Sequence, residues 1–409
     1  MALAALHRPP SAEILAAEFA ATAAEHDRTG AFPFANFARL QEAGLLALTV
    51  PLHLGGRGAG LDEAARIVGT IAGGEPSTAL VLAMQLIHHR TIASSSRFPR
   101  HLAELLGREA VGAGSLVNAL RVEPELGTPA RGGLPATTAV RTGQGWRLSG
   151  HKIYATGAPI LAWYLVWAQT DEAEPRVGQF LIRAGLPGIR IVETWDHLGM
   201  RATGSHDVLF DGVEIPADHA VDIRQSGDWT VEPEQWAWNT LLIAALYDGI
   251  ARSAVLWLRD FLERRRPSAL GVPLSNVPRV QSVVGEIEGW LAVNARLLTS
   301  AWALDASRYG LFQPGDALSL RLSQSLRVER GALQLNLPVD YSYATLTPGM
   351  GLRRLSLSPK GRELDAELAW SGALLNGAAS ASLFWRKDPG HYAGLPNDQG
   401  VALSWSRQF

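Results

Sequence analysis

The sequence predicts an α+β multidomain chain. Its parts are an N-terminal α-helical domain, a central antiparallel β-barrel or sandwich, a long helical hairpin and a β-strand-rich C-terminal tail. Three observations carry this. Apolar residues recur at helical spacing to about Ser94. From Val111, short runs rich in β-branched and aromatic residues, separated by turn residues, extend to about Val213. After about Asp218 the 3.6-residue period returns, and from Gly315 it yields to alternation. The expected domains are 1–111, 112–217, 218–310 and 311–409. A chain of 409 residues is too long for one simple core.

In the first domain, Ser11 is the N-cap of a helix over 11–30 with Glu13 in its first turn, and a second helix covers Phe34–Gly44. The cluster Gly55–Gly60 follows no βαβ pattern and lacks a Lys-Ser/Thr end, so it reads as a plain connection. Helices follow over Leu61–Gly73 and Ser77–Ser94. Neighbouring His88 and His89 point about 100° apart on a helix and have no carboxylate at i+4, which argues against a metal and for one of them lining a cleft.

The β-rich runs are Gly112–Leu120, Thr137–Arg141, Trp146–Ser149, Ala162–Gln169, Val177–Ile182, Ile189–Glu193 and Val208–Val213. Ser149-Gly150 reads as the turn of a hairpin whose second arm carries Lys152, Tyr154 and Thr156. Beyond it, apolar stripes over Trp236–Leu262 and Val280–Arg308 predict two long helices, the first ended by Pro267. Stripes this broad call for further helices to cover them.

Composition narrows the function. Lys+Arg 37 against Asp+Glu 39 leaves no field for nucleic acid or an anionic membrane. Zero cysteines exclude disulfides, thiolate metal sites and thiol catalysis. No secretory signal and no transmembrane helix are expected, and a cytoplasmic location follows as the expectation.

The segments GWRLSGHKIYATGA (145–158), LRVEPELG (120–127), WDHLGMRATGSHD (195–207) and VEIP (213–216), in that order and spacing, resemble the central domain of the acyl-CoA dehydrogenase family of flavoproteins. The resemblance covers about residues 10–310 and implies a flavin between β-domain and helices, FAD for a dehydrogenase or FMN for a monooxygenase of the same fold. On this resemblance Tyr154 is the aromatic wall, Thr156 the hydroxyl near flavin N5, and Leu120 and Val122 line the pyrimidine edge. Arg266 and Gln281 match the segment that reaches the flavin diphosphate and adenine of a neighbouring subunit, and Arg201 is a substrate-site residue. The hairpin is then an incomplete acyl-CoA dehydrogenase bundle.

The family reaction is α,β-dehydrogenation of an acyl-CoA thioester, with a carboxylate taking the α-proton. One family position for that base lies in bundle helices this chain lacks, and the other falls near Asn239, with Glu234 more than a helical turn away. The catalytic residue is therefore unassigned. The fold's monooxygenases need no such base and receive reduced flavin from a partner reductase. Both readings stand, with a small-molecule substrate, an electron-transfer or flavin-reductase partner and a homo-oligomer implied.

The tail departs from the family. Leu318, Leu320, Leu322, Leu326 and Val328 share one parity, as do Leu333–Tyr343 and Leu364–Trp370, and Ala379–Trp385 and Val401–Phe409 complete the set. Alternating strands of this length, ending in an aromatic residue, resemble the end of a bacterial autotransporter outer-membrane barrel. The chain then reads as a chimera joined near 305–315, and a non-catalytic barrel fragment is the third reading.

Overall fold

The computed structural model describes residues 10–125, 134–225, 228–229, 233–294, 298–330, 332–342, 347–356, 358–375 and 377–406. The N-terminal residues 1–9, the 126–133 part of the Leu120–Pro135 segment and the terminal aromatic Phe409 lie outside them. The chain divides into two compact units, Met1–Leu258 and Arg259–Phe409.

The first unit opens with five helices: α1 (Ala12–Thr29), α2 (Phe34–Glu42), α3 (Leu61–Gly74), α4 (Pro76–Ser94) and α5 (Arg100–Ala113). Ser11 caps α1, its hydroxyl accepting from Ile14 N, and Gly30 closes the helix at φ 71°. Glu75 caps α4 by accepting from Ser77 N and Thr78 N. Helix α4 is apolar on nearly every side, so it lies in the middle of the domain and carries His88 and His89 into the interior. Gly55–Gly60 is a loop before α3 with no βαβ unit around it. Helix α5 went unread in the sequence, and its last turn occupies the start of the strand predicted from Gly112.

Strands β1 (Leu116–Leu120), β2 (Thr138–Arg141), β3 (Gly145–Ala155), β4 (Leu161–Thr170), β5 (Arg176–Arg183), β6 (Ile189–Val192), β7 (His206–Pro216) and β8 (Ala220–Gln225) form one sheet in the order β6-β7-β3-β2-β4-β5-β8, with β1 on β4. Three expectations are corrected here. The sheet is mixed, because β1 and β2 both run parallel to β4. No hairpin turn occurs at Ser149-Gly150. Strand β3 continues through it and only shifts register against β7, where a Cβ on Gly150 would sit 2.3 Å from Thr137 Oγ1. Strand β8 lies where helix was expected to resume. Trp146, Leu148, Tyr164, Val166, Phe180 and Val213 fill the inner face.

Helix α6 (Pro233–Arg264) passes from one unit into the other. Its Gly249 meets α3 at Gly69, so closely that a Cβ at 249 would lie 2.1 Å from the Gly69 carbonyl oxygen. Trp238, Leu242 and Leu246 are buried, whereas Trp236, Leu241, Tyr247 and Leu256 are 49–66% exposed. An 18-residue window within Glu234–Arg264 has mean hydropathy 1.6, so this helix is long and apolar enough to cross a membrane.

In the second unit α7 (Pro278–Asn294) ends well short of the predicted Arg308. Leu298–Tyr309 is instead strand β9, paired with β10 (Ala317–Arg330) from end to end. The alanines of this stretch suit either period, and strand pairing decides it. Strands β13 (Leu364–Leu374), β14 (Gly377–Lys387) and β15 (Asp398–Ser406) complete a sheet ordered β15-β14-β13-β10-β9, while β11 (Ala332–Ser342) and β12 (Thr347–Ser356) form a separate pair. The five-stranded sheet therefore begins before the predicted boundary at 311.

Candidate functional site

Strand β1 reads Leu-Val-Asn-Ala-Leu, and the one polar residue in it organises the site. Asn118 Oδ1 lies 2.9 Å from His88 Nε2, and its Nδ2 donates to the Thr156 carbonyl oxygen at 2.9 Å. One buried amide thus ties α4, β1 and the end of β3 together. Burial lowers the His88 pKa to about 3, with the Arg121 charge adding to the effect, and burial lowers His89 to about 4. Both imidazoles are neutral near pH 7. Among the described residues no group of three metal-ligating side chains occurs.

At the end of β3 the backbone turns outward. Tyr154 has φ 58°, inside a register shift between Lys152 and Ala155, and its ring is 53% exposed. Trp195 and His197 gather beside it, with ring centroids 6.1 and 6.3 Å from Tyr154. Thr156 Oγ1 lies 3.0 Å from Ser205 Oγ, which lies 2.7 Å from Thr203 Oγ1. An exposed aromatic cluster beside a short chain of hydroxyls suits a flat heteroaromatic ring with a polar edge.

This shelf is braced from beneath. Lys152 points inward and donates to Glu123 Oε1 at 2.5 Å. Glu123 also accepts from Ala136 N, Thr137 N and the Thr137 hydroxyl. Burial works to raise the Glu123 pKa, but these bonds and the Lys152 charge hold it below the usual range. Burial lowers Lys152 to about 8 against the pull of Glu123. Ile153 N donates to the Val122 carbonyl oxygen at 3.0 Å, seating the 120–124 segment alongside β3.

Next to His88 a cavity of about 230 Å³ opens, walled by Trp229, Trp238, Leu165 and the end of α4. Two carboxylates line it. Glu234 is paired with Arg90, and Asp222 holds Arg224 through both oxygens. Asn239, where a family base would fall, has no acid function.

Of the predicted site residues, Tyr154 and Thr156 stand together at the shelf. Val122 is partly buried beside them, and the Leu120 side chain is 1% exposed, packed in the core. Arg201 is already engaged, donating to the Asp27 and His197 carbonyl oxygens and to Asp196. Arg266 and Gln281 belong to the second unit, where both are exposed and Gln281 donates to the Ser275 carbonyl oxygen. Sequence reasoning missed Asn118, Ser205 and the Trp195–His197 pair. Asn118 carried a signal, being a lone amide in a buried apolar strand.

Comparison with known proteins agrees with this geometry. The profile described as acyl-CoA dehydrogenase, N-terminal domain, matches residues 8–96, and that for the middle domain matches residues 121–213. A putative acyl-CoA dehydrogenase of Bacillus subtilis is 34% identical over 282 residues, 69% of this chain and 72% of that protein. L-evernosamine nitrososynthase of Micromonospora is 32% identical over 57% of this chain and 56% of its own length. Among solved structures, KijD3 in complex with FMN and dTDP-3-amino-2,3,6-trideoxy-4-keto-3-methyl-D-glucose is 31% identical, with TM-score 0.57, over 70% of this chain and 71% of that one. The two profile matches reach no further than residue 213, and the comparisons do not show the autotransporter-like tail. Two matched domains in order, over the fold described above, lead to one conclusion: the chain belongs to the acyl-CoA dehydrogenase family.

Proposed function

We propose that the chain is a flavin-dependent oxidoreductase and, of the reactions open to it, a monooxygenase using FMN delivered reduced by a partner reductase. The observation that carries this is the state of the carboxylates beside His88. Glu234 and Asp222, which line the cavity, are each engaged by an arginine. Dehydrogenation of an acyl-CoA, with FAD, needs a free carboxylate to take the α-proton. Oxygenation needs a dry, hydrogen-bonding site, which neutral His88, Asn118 and the Thr156–Ser205 hydroxyls supply. A bound flavin supplies the redox chemistry with oxygen. Tyr154, Trp195 and His197 would wall its ring, and Thr156 would address its polar edge. The substrate is a small molecule, the compartment the cytoplasm and the assembly a homo-oligomer.

The test is turnover of the full chain in two assays. With FMN, a flavin reductase and NADH, oxygen uptake should rise when a substrate oxidisable at nitrogen or sulfur is added. With FAD and acyl-CoA, flavin bleaching without a reductase would reverse the choice.

A separate reading concerns residues 298–406. The register aligns Ala306, Leu320, Leu368, Leu383 and Val401 across the sheet, and Leu304, Leu383, Val401, Leu403 and Trp405 are 51–79% exposed. The opposite face carries Arg321–Asp305 and Arg386–Asp365 ion pairs. Strands of 9–14 residues with one apolar and one charged face support a lipid-facing sheet. Flotation of the full chain with phosphatidylcholine vesicles tests it. Loss of co-flotation in Leu383→Asp supports the reading, and a freely soluble chain contradicts it.

A further inference from the structure

Adjacent residues of a helix point about 100° apart, and His88 and His89 of α4 line two different cavities. The cavity at His89 holds about 390 Å³ and is walled by the end of α4, by α5 and by the turn at Pro51–Leu54. None of the shelf residues lines it, and the segment from Ile92 to Phe98 separates it from the cavity beside His88. Leu54, Ile92 and Phe98 make its buried wall apolar. His89 is the polar exception. Its side chain is 3% exposed, and Nε2 has no hydrogen-bond partner among the described residues. Leaving a buried ring nitrogen unpaired costs free energy that a bound partner recovers. Water suits the place poorly, because a held water needs roughly two to four polar partners. Ser95, also on the wall, already accepts from Arg97 N and Phe98 N. At the mouth Arg100 pairs with Glu104 at 3.1 Å, so that pair offers an entering molecule no net charge.

We propose that this cavity is a second small-molecule site, taking an uncharged, mainly apolar ring that carries one hydroxyl, with the hydroxyl on His89 Nε2. A space of this size accommodates a substituted benzene ring. A hydroxyl is the fitting group because it both donates and accepts, and so pairs with Nε2 in either tautomer of the neutral imidazole. The ligand class is therefore a neutral phenol. The site stands apart from the flavin reading, since it uses other residues than the shelf.

The test is calorimetric titration of the full chain near pH 7 with para-ethylphenol and with para-ethyltoluene, which carries a methyl group in place of the hydroxyl. Wild type should bind the phenol saturably and about tenfold more tightly than the hydrocarbon, as for one hydrogen bond to an otherwise unpaired nitrogen. His89→Leu should bind the two alike. Ala103 lines this cavity and not the one beside His88, so Ala103→Phe should fill it and weaken both ligands by about tenfold or more. No saturable binding in wild type, equal affinity for phenol and hydrocarbon, or a phenol affinity untouched by Ala103→Phe would overturn the proposal. If His89→Leu does not fold, the two ligands on wild type and Ala103→Phe decide together. If Ala103→Phe does not fold, Ala93→Phe, from the α4 wall, takes its place. A chain that binds FMN but not the phenol sinks this inference alone, and one that binds the phenol but never FMN sinks the flavin reading alone.

Discussion

Lys152 Nζ lies 2.5 Å from Glu123 Oε1, with the two side chains 0% and 3% exposed. The pair joins the two segments that carry the shelf, so its integrity sets where Tyr154 and Thr156 stand. Glu123→Gln strands a buried ammonium and should cost about 3–5 kcal/mol. Lys152→Met should cost less, because Glu123 keeps its bonds from Ala136 and Thr137. Chemical denaturation measures both. Values within about 0.5 kcal/mol of wild type would show that the pair is not sealed.

The two neighbouring histidines make stability depend on pH. Their folded pKa values, about 3 for His88 and about 4 for His89, lie below the ordinary 6.5. The unfolded chain therefore takes up protons first as pH falls. Stability is full above 6.5 and is lost as pH drops from there toward 4, with a slope approaching ~2.7 kcal/mol per unit when both contribute. Glu123, whose ordinary value is 4.5, adds its own loss only at lower pH, since its folded pKa is depressed. Denaturation midpoints between about pH 7 and about pH 5 check this. His89→Gln should flatten the slope, and a wild-type midpoint constant across that window contradicts it.

Glycines on two helices should behave oppositely. Gly249→Ala drives a methyl group into the Gly69 carbonyl and should destabilise by about 1–3 kcal/mol or more. Gly112→Ala, in α5 with nothing within 4 Å, should stabilise by roughly 0.5–1 kcal/mol. Thermal unfolding of the two variants tests the α3–α6 contact directly. Equal effects would mean that the helices do not meet there.

Much of this was legible in the sequence, for physical reasons that differ by element. Ser11 and the period after it marked α1, and alternation marked most strands of the first sheet. Glycine misled at 150, where Ser-Gly reads as a turn but the missing side chain serves close packing against Thr137. The stretch Leu298–Tyr309 misled because alanine fits both periods and only pairing with β10 separates them. Strands β1 and β2 were legible as strands, but their parallel pairing with β4 was not, since pairing partners depend on contacts distant in sequence. At the site, Tyr154 and Thr156 emerged from a motif. Asn118 and Ser205 emerge only once β1, β3 and β7 are assembled.

The most direct measurement is an FMN titration of the full chain, followed by quenching of flavin fluorescence. The account predicts saturable binding, weakened about tenfold by Thr156→Val, which removes the hydroxyl of the Ser205 pair, and weakened again by Tyr154→Ala, which removes the wall. Wild-type protein that leaves the fluorescence unchanged, or two variants that bind FMN as wild type does, would contradict a flavin at this shelf.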